Sequence, residues 1–152
     1  MNKGGKFIFV KSLIRTDGTL QIPPQAMEEY HIAAEGKVYL FTGSKTTGGF
    51  CVTRKGLLHP SKLGHILDDT PPLLDYSSGS GEFIKYKGRS YCWLEISQEG
   101  QILLTKKMMD FLKVNPGMEL LSIRSSDVAF TMGAKGPLLE KAEHYDGEVP
   151  LF

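Results

Sequence analysis

The chain has 152 residues, of which 41% are apolar and 23% charged, with a formal net charge of +1. That composition can bury a core, as one domain or two small interlocked ones, and it excludes a disordered tail. It also excludes an overtly basic nucleic-acid binder, and no apolar run approaches the roughly 18 residues that cross a membrane. Phe7-Ile8-Phe9-Val10 is too short for the apolar region of a signal peptide and Lys11 interrupts it, so the expectation is a cytoplasmic protein with no membrane partner.

In chain order, Lys6 to Thr16 reads as a strand entering the Asp17-Gly18 turn, where glycine accepts the positive φ of a tight reversal. Leu20 and Ile22 alternate with Thr19 and Gln21 as a half-buried strand should. Pro23-Pro24 ends that strand and pre-sets φ for a first helical turn. Ala26, Met27 and Tyr30 then follow at helical spacing. Gly36 stops this element, and Val38, Leu40, Phe50 and Val52 predict a hairpin around a loop from Gly43 to Gly49. Between residues 57 and 86 lies a linker. It holds a short helix over His59 to Leu67 with Ser61 near its cap, a break at Pro71-Pro72, and the flexible run Ser77-Ser78-Gly79-Ser80-Gly81.

The chain then repeats itself. Tyr91 to Gln98 is a strand, Glu99-Gly100 a turn, and Ile102 and Leu104 the return strand. Thr105 is placed to cap a helix carrying Met108, Met109 and Leu112. Pro116-Gly117 suits the centre of a type II turn, and Leu120 to Ile123 with Val128 to Met132 predict a second hairpin across Ser125-Ser126. The two turn glycines are 100 − 18 = 82 residues apart, and Phe50…Lys55-Gly56 matches Phe130…Lys135-Gly136 at an offset of 80. One residue is thus expected to be lost at the helix stop and another in the hairpin loop. An internal repeat sets architecture before function is considered. The division is 1–56 and 87–136 for the two copies, 57–86 for the linker and 137–152 for a tail, whose Val149, Leu151 and Phe152 want a groove.

Asp17-Gly18-Thr19-Leu20-Gln21-Ile22-Pro23-Pro24, the helix through Met27 and Tyr30, Ile32 and Gly36 resemble the AbrB/SpoVT family. The second copy is similar through Glu99-Gly100-Gln101-Ile102-Leu103-Leu104, Met109, Leu112, Val114 and Gly117, and two copies in one chain resemble the MraZ arrangement. The likeness covers about two thirds of the chain. It implies a mostly β fold with short helices, a pseudo-two-fold swapped-hairpin β-barrel in which each copy closes the other's exposed sheet edges.

The resemblance further implies a DNA-binding transcriptional regulator acting on double-stranded DNA, with homo-oligomers compatible and no cofactor required. Relatives place basic residues around the first strand and the glycine turn. Here Lys11 and Arg15 stand there in the first copy, opposite Trp93 and Ser97 in the second, while the position after the glycine holds Thr19 and Gln101. Residues 1–56 carry eight Lys/Arg and four Asp/Glu, against eight and nine over 87–152, so the first copy is the cationic one. DNA affinity rests on phosphate neutralisation by clustered cations. Lys6, Lys11, Arg15 and Arg89 are therefore the DNA-binding candidates, with Lys3, Lys85 and Lys87 nearby. Ordinary solvated strand-edge lysines are the plainer reading of the same residues.

Nothing in the sequence predicts an enzyme or a metal site. There is no phosphate loop, nucleophile elbow or carboxylate pair, and His59 and His65, near Asp68 and Asp69, lack helical ligand spacing. Cys51 and Cys92 sit in strands as small apolar residues, and Phe9, Tyr91 and Trp93 read as core before they read as a stacking surface. The competing function is an oligomerisation or ligand- and peptide-binding module, with linker and tail as its working parts.

Overall fold

Strands form where apolar residues alternate, and each turn glycine separates two of them. A computed structural model describes residues 8–136, 139–140 and 150–152. In chain order the elements are β1 (Ile8–Leu13), β2 (Thr19–Gln21), α1 (Pro24–Tyr30), β3 (Lys37–Thr42), β4 (Phe50–Thr53), α2 (Lys55–Leu58), α3 (His65–Asp68), α4 (Pro71–Leu74), β5 (Ile84–Tyr86), β6 (Arg89–Glu95), β7 (Gln101–Leu103), α5 (Lys106–Leu112), β8 (Glu119–Arg124) and β9 (Phe130–Gly133). The fold is mostly β, with all strand pairs antiparallel.

Local chemistry explains the boundaries. Pro23 caps α1 with extended backbone and Pro24 opens it, while the Thr105 hydroxyl accepts a hydrogen bond from Met108 N at 3.2 Å to cap α5. Both helices end on a left-handed residue, His31 and Lys113. Met118 N donates to Asn115 O at 3.2 Å, and Gly117 has φ +92°, as a type II turn requires. Helix starts and third-strand starts are both 82 residues apart (106 − 24 and 119 − 37), and the fourth strands 80 (130 − 50). Both missing residues therefore fall in the hairpin loop, 43–49 against 125–129, and none at the helix stop.

The strand order is β1-β8-β9-β4-β3-β6-β5 in one sheet and β2-β7 in the other. Apart from the three hairpins, every pairing joins the first half to the second. Exchanging the halves turns β1·β8 into β6·β3 and leaves β4·β9 and β2·β7 as they are. Leu20 faces Ile102 at an offset of 82, and Cys51 faces Thr131 at an offset of 80, so these two pairs lie on the two-fold relation.

The main sheet does not close into the expected barrel among the described residues. Each of the strands that would have to meet is already covered: β6 by β5, and β1 by Pro150–Phe152. Lys11 N donates to Pro150 O at 3.0 Å, Leu13 N to Phe152 O at 3.2 Å, and Phe152 N to Lys11 O at 2.8 Å. Leu151 and Phe152 stay 49% and 37% exposed, so the end of the tail edges a strand and does not fill a groove. Val149 lies outside the described residues.

The first core joins one face of the main sheet to the β2-β7 ribbon. Ile14, Leu20, Ile22, Leu40, Phe50, Ile102, Leu104 and Phe130 are at most 2% exposed there. The Tyr30 ring packs on Phe130 at 5.1 Å, its hydroxyl donates to Ser126 O at 2.6 Å, and burial pushes its pKa up to about 12. The segment 57–86 is a layer, not a linker. Leu58, Ile66, Leu67 and Leu73 are buried against Tyr39, Phe41, Cys51 and Tyr91 on the other face of the sheet. The expected helix over 59–67 forms only at His65–Asp68, and Pro71-Pro72 begins a helix because proline needs no N–H in a first turn.

Ser122 occupies the place that Leu40 holds in the first half, fully buried, and its hydroxyl has no hydrogen-bond partner. An unpaired buried hydroxyl costs about 1–3 kcal/mol. Ser122→Ala is therefore expected to raise stability by about 1 kcal/mol in thermal melts, and a lower Tm would show that the hydroxyl is paired.

Candidate nucleic-acid interface

The β2-β7 ribbon buries Leu20, Ile22, Ile102 and Leu104 and turns Thr19, Gln21, Gln101 and Leu103 outward. A turn glycine lies at each end. Leu104 N donates to Gly18 O and Ile22 N to Gly100 O, both at 2.9 Å. Gln21 Nε2 reaches Glu99 O at 2.7 Å and Ile22 O at 2.9 Å. Thr19 is spent on its own turn: its N and Oγ1 donate to the Asp17 carboxylate at 3.0 and 2.7 Å, and these bonds hold that carboxyl below its usual range. Gln101 N likewise donates to Ser97 Oγ at 2.9 Å.

The structure separates the candidates. Lys6 and Lys3 lie outside the described residues. Lys11 is on β1, its ammonium 3.4 Å from Glu119 Oε1 and its side chain only 14% exposed. Arg15 is exposed in the turn before β2 and belongs to no ion pair among the described residues. Arg89 opens β6, with four strands between it and β1 in hydrogen-bonding order, and its guanidinium lies 5.6 Å from the centre of the Phe41 ring. Lys11 and Arg89 are thus not brought together.

Arg89 has other company. A two-residue turn, Lys87-Gly88 with φ +46° and +86°, joins β5 to β6 and carries Lys85, Lys87 and Arg89, all exposed. At the same end of the sheet the 43–49 loop carries exposed Lys45, and the chain leaves β9 through exposed Lys135. Ala134 N and Lys135 N both donate to Thr47 O, at 2.8 and 3.0 Å, which ties that exit to the loop. Sequence reasoning passed over Lys45 and Lys135 because neither belongs to the first strand or its turn. The available signal was the absence of any acid in 43–49, 85–91 and 132–136. At the opposite end the arginines are neutralised: Arg54 by Glu35 at 2.6 Å, and Arg124 by Glu29 at 2.9 Å and by Asp127.

The remaining candidates have structural partners. His59 Nε2 meets Asp68 Oδ1 at 2.8 Å, and the His65 ring leans on Tyr86 at 5.9 Å. Among the described residues no three His, Cys, Asp or Glu side chains converge. Cys51 faces the helical layer and Cys92 the first core, on opposite faces of the sheet, and burial pushes the Cys92 thiol up to about 12. Trp93 donates from Nε1 to Ser78 O at 2.8 Å, Tyr91 is buried, and nothing is described of the Phe9 side chain. No protein-family model matches this chain, and no curated protein matches it either.

The two ribbon glycines respond differently to a side chain. Both have strongly positive φ, but a Cβ at Gly18 would collide with the Leu104 carbonyl, whereas one at Gly100 meets the movable Met27 Sδ at 2.6 Å. Gly18→Ala is expected to cost about 2–4 kcal/mol and Gly100→Ala about 1–2 kcal/mol. Equal losses in denaturant melts would refute the backbone collision.

Proposed function

We propose that this chain is a DNA-binding transcriptional regulator of the AbrB/SpoVT type, built from two repeats that exchange hairpins within one chain. The observation that carries the reading is the two-fold register, in which Leu20–Ile102 and Cys51–Thr131 pair across equivalent positions. Duplex DNA has the same symmetry, and two-fold binding proteins use it to read paired half-sites. Within that reading Arg15 supplies a phosphate contact beside the ribbon, whereas Lys11 is held by Glu119 and contributes stability.

A different observation favours the module reading. Phe111 is 49% exposed and stacks on Phe83 at 4.4 Å, and Leu103 on the outward ribbon face is 51% exposed. Exposed aromatic pairs of this kind suit protein contacts.

Fluorescence anisotropy with random-sequence duplex DNA, at low and then physiological salt, separates the two. Binding that weakens steeply with salt is expected, and Arg15→Ala lowers the slope of log K against log salt by about 0.9. Absence of binding at low salt would overturn the DNA reading and leave the exposed apolar surface as the functional one.

A further inference from the structure

Resting on the DNA reading, we infer that the phosphate backbone of a duplex is gripped by the sheet end carrying Lys45, Lys85, Lys87, Arg89 and Lys135, and not by the first strand. The five come from three separate segments that the pairing of β9, β4, β3, β6 and β5 sets side by side. Carried past the strand ends, the registers put Lys135 beside Thr47, Lys45 across its own hairpin, and Lys87 opposite Lys45. The hydrogen bonds from Ala134 N and Lys135 N to Thr47 O hold the first of these neighbours in place.

Three further observations make this end a binding surface. All five cations are exposed and none belongs to an ion pair among the described residues. Lys87 and Arg89 instead rest against aromatic faces, with Lys87 Nζ 5.4 Å from the Tyr86 ring centre, which leaves their charge available to an anion. Lys87 also takes a positive φ in a turn of the kind that favours Asn-Gly, so a charge is carried at the hairpin tip at a conformational cost. At the equivalent sheet end Arg54 and Arg124 are paired with Glu35, Glu29 and Asp127, and Lys37 and Lys55 both rest on the Tyr76 ring, at 5.3 and 4.1 Å.

The dimensions suit a duplex. Lys135 to Lys87 spans three inter-strand spacings, about 14 Å. A major groove is roughly 12 Å wide and admits a two-stranded ribbon such as β5-β6, with Lys45 and Lys135 on the β3 side of that ribbon and Lys85 on its outer strand. Gly88 at the tip has open space around it.

The test is anisotropy of a labelled 30-base-pair random duplex over a salt series, with the full chain. The wild type is expected to bind with a slope of about −5, the five cations and Arg15 contributing about 0.9 each. Substituting Lys45, Lys87, Arg89 and Lys135 together by Ala should reduce that slope to about −2, with an unchanged circular dichroism spectrum, against a reduction of about 0.9 for Arg15→Ala. A single substitution guards against misfolding: Lys87→Asn should raise Tm, because Asn-Gly suits the turn, and still weaken DNA binding. If the fourfold variant keeps the wild-type slope, the cationic end is not the site and the DNA reading survives. If the wild type binds no duplex at low salt, both fall. If it binds vesicles of phosphatidylserine and phosphatidylcholine but not DNA, with the same loss in the fourfold variant, the nucleic-acid assignment is overturned.

Discussion

Pairing between the halves is the constraint on which the rest of the molecule depends. Taken alone, residues 8–53 offer strands whose hydrogen-bonding edges and apolar faces have no partner within that segment beyond the β3-β4 hairpin. β1 finds β8, β3 finds β6, β4 finds β9 and β2 finds β7, so each half supplies the edges that the other lacks. The same pairings bring Leu20 and Ile22 over Ile102 and Leu104 and close the first core. A strand edge left open is a template for aggregation; Pro150–Phe152 covers that of β1, and β5 covers that of β6.

Symmetry of the backbone coexists with asymmetry of the side chains. Lys11 and Trp93 are equivalent positions, yet one meets Glu119 and the other is tied to Ser78 beneath the helical layer. Ser12 and Ser122 stand where Leu94 and Leu40 stand in the other half. Ser12 is satisfied by Gln21 O at 2.6 Å, whereas the Ser122 hydroxyl is not satisfied. Two-fold positions placed in different surroundings have been free to take different work. Arg54 and Arg124, paired with acids at one end of the sheet, and Arg89, in no ion pair among the described residues at the other, are a further instance of this.

Much of the architecture was legible in the residues. Alternation of Leu20 with Ile22 and of Ile102 with Leu104, the prolines before α1, Thr105 before α5 and the Pro116-Gly117 turn are local signals, and each element formed where its signal stood. The layer over 57–86 was not legible. Its helices are single turns whose apolar residues gain their meaning only against Tyr39, Phe41 and Tyr91, from other strands.

By itself, the sequence determined the order of the elements within the two repeated segments, their likeness to each other, and the identities of the cations at Arg15 and Arg89. Those properties depend on neighbours within a few residues, where backbone sterics and side-chain periodicity act. Only the tertiary structure decided which cations stay free. Lys11 is paired with Glu119, 108 residues away, while Lys45 and Lys135 joined Arg89 through strand registers that no local pattern encodes. Charge is a local property of the chain, but a charged surface is set by long-range pairing.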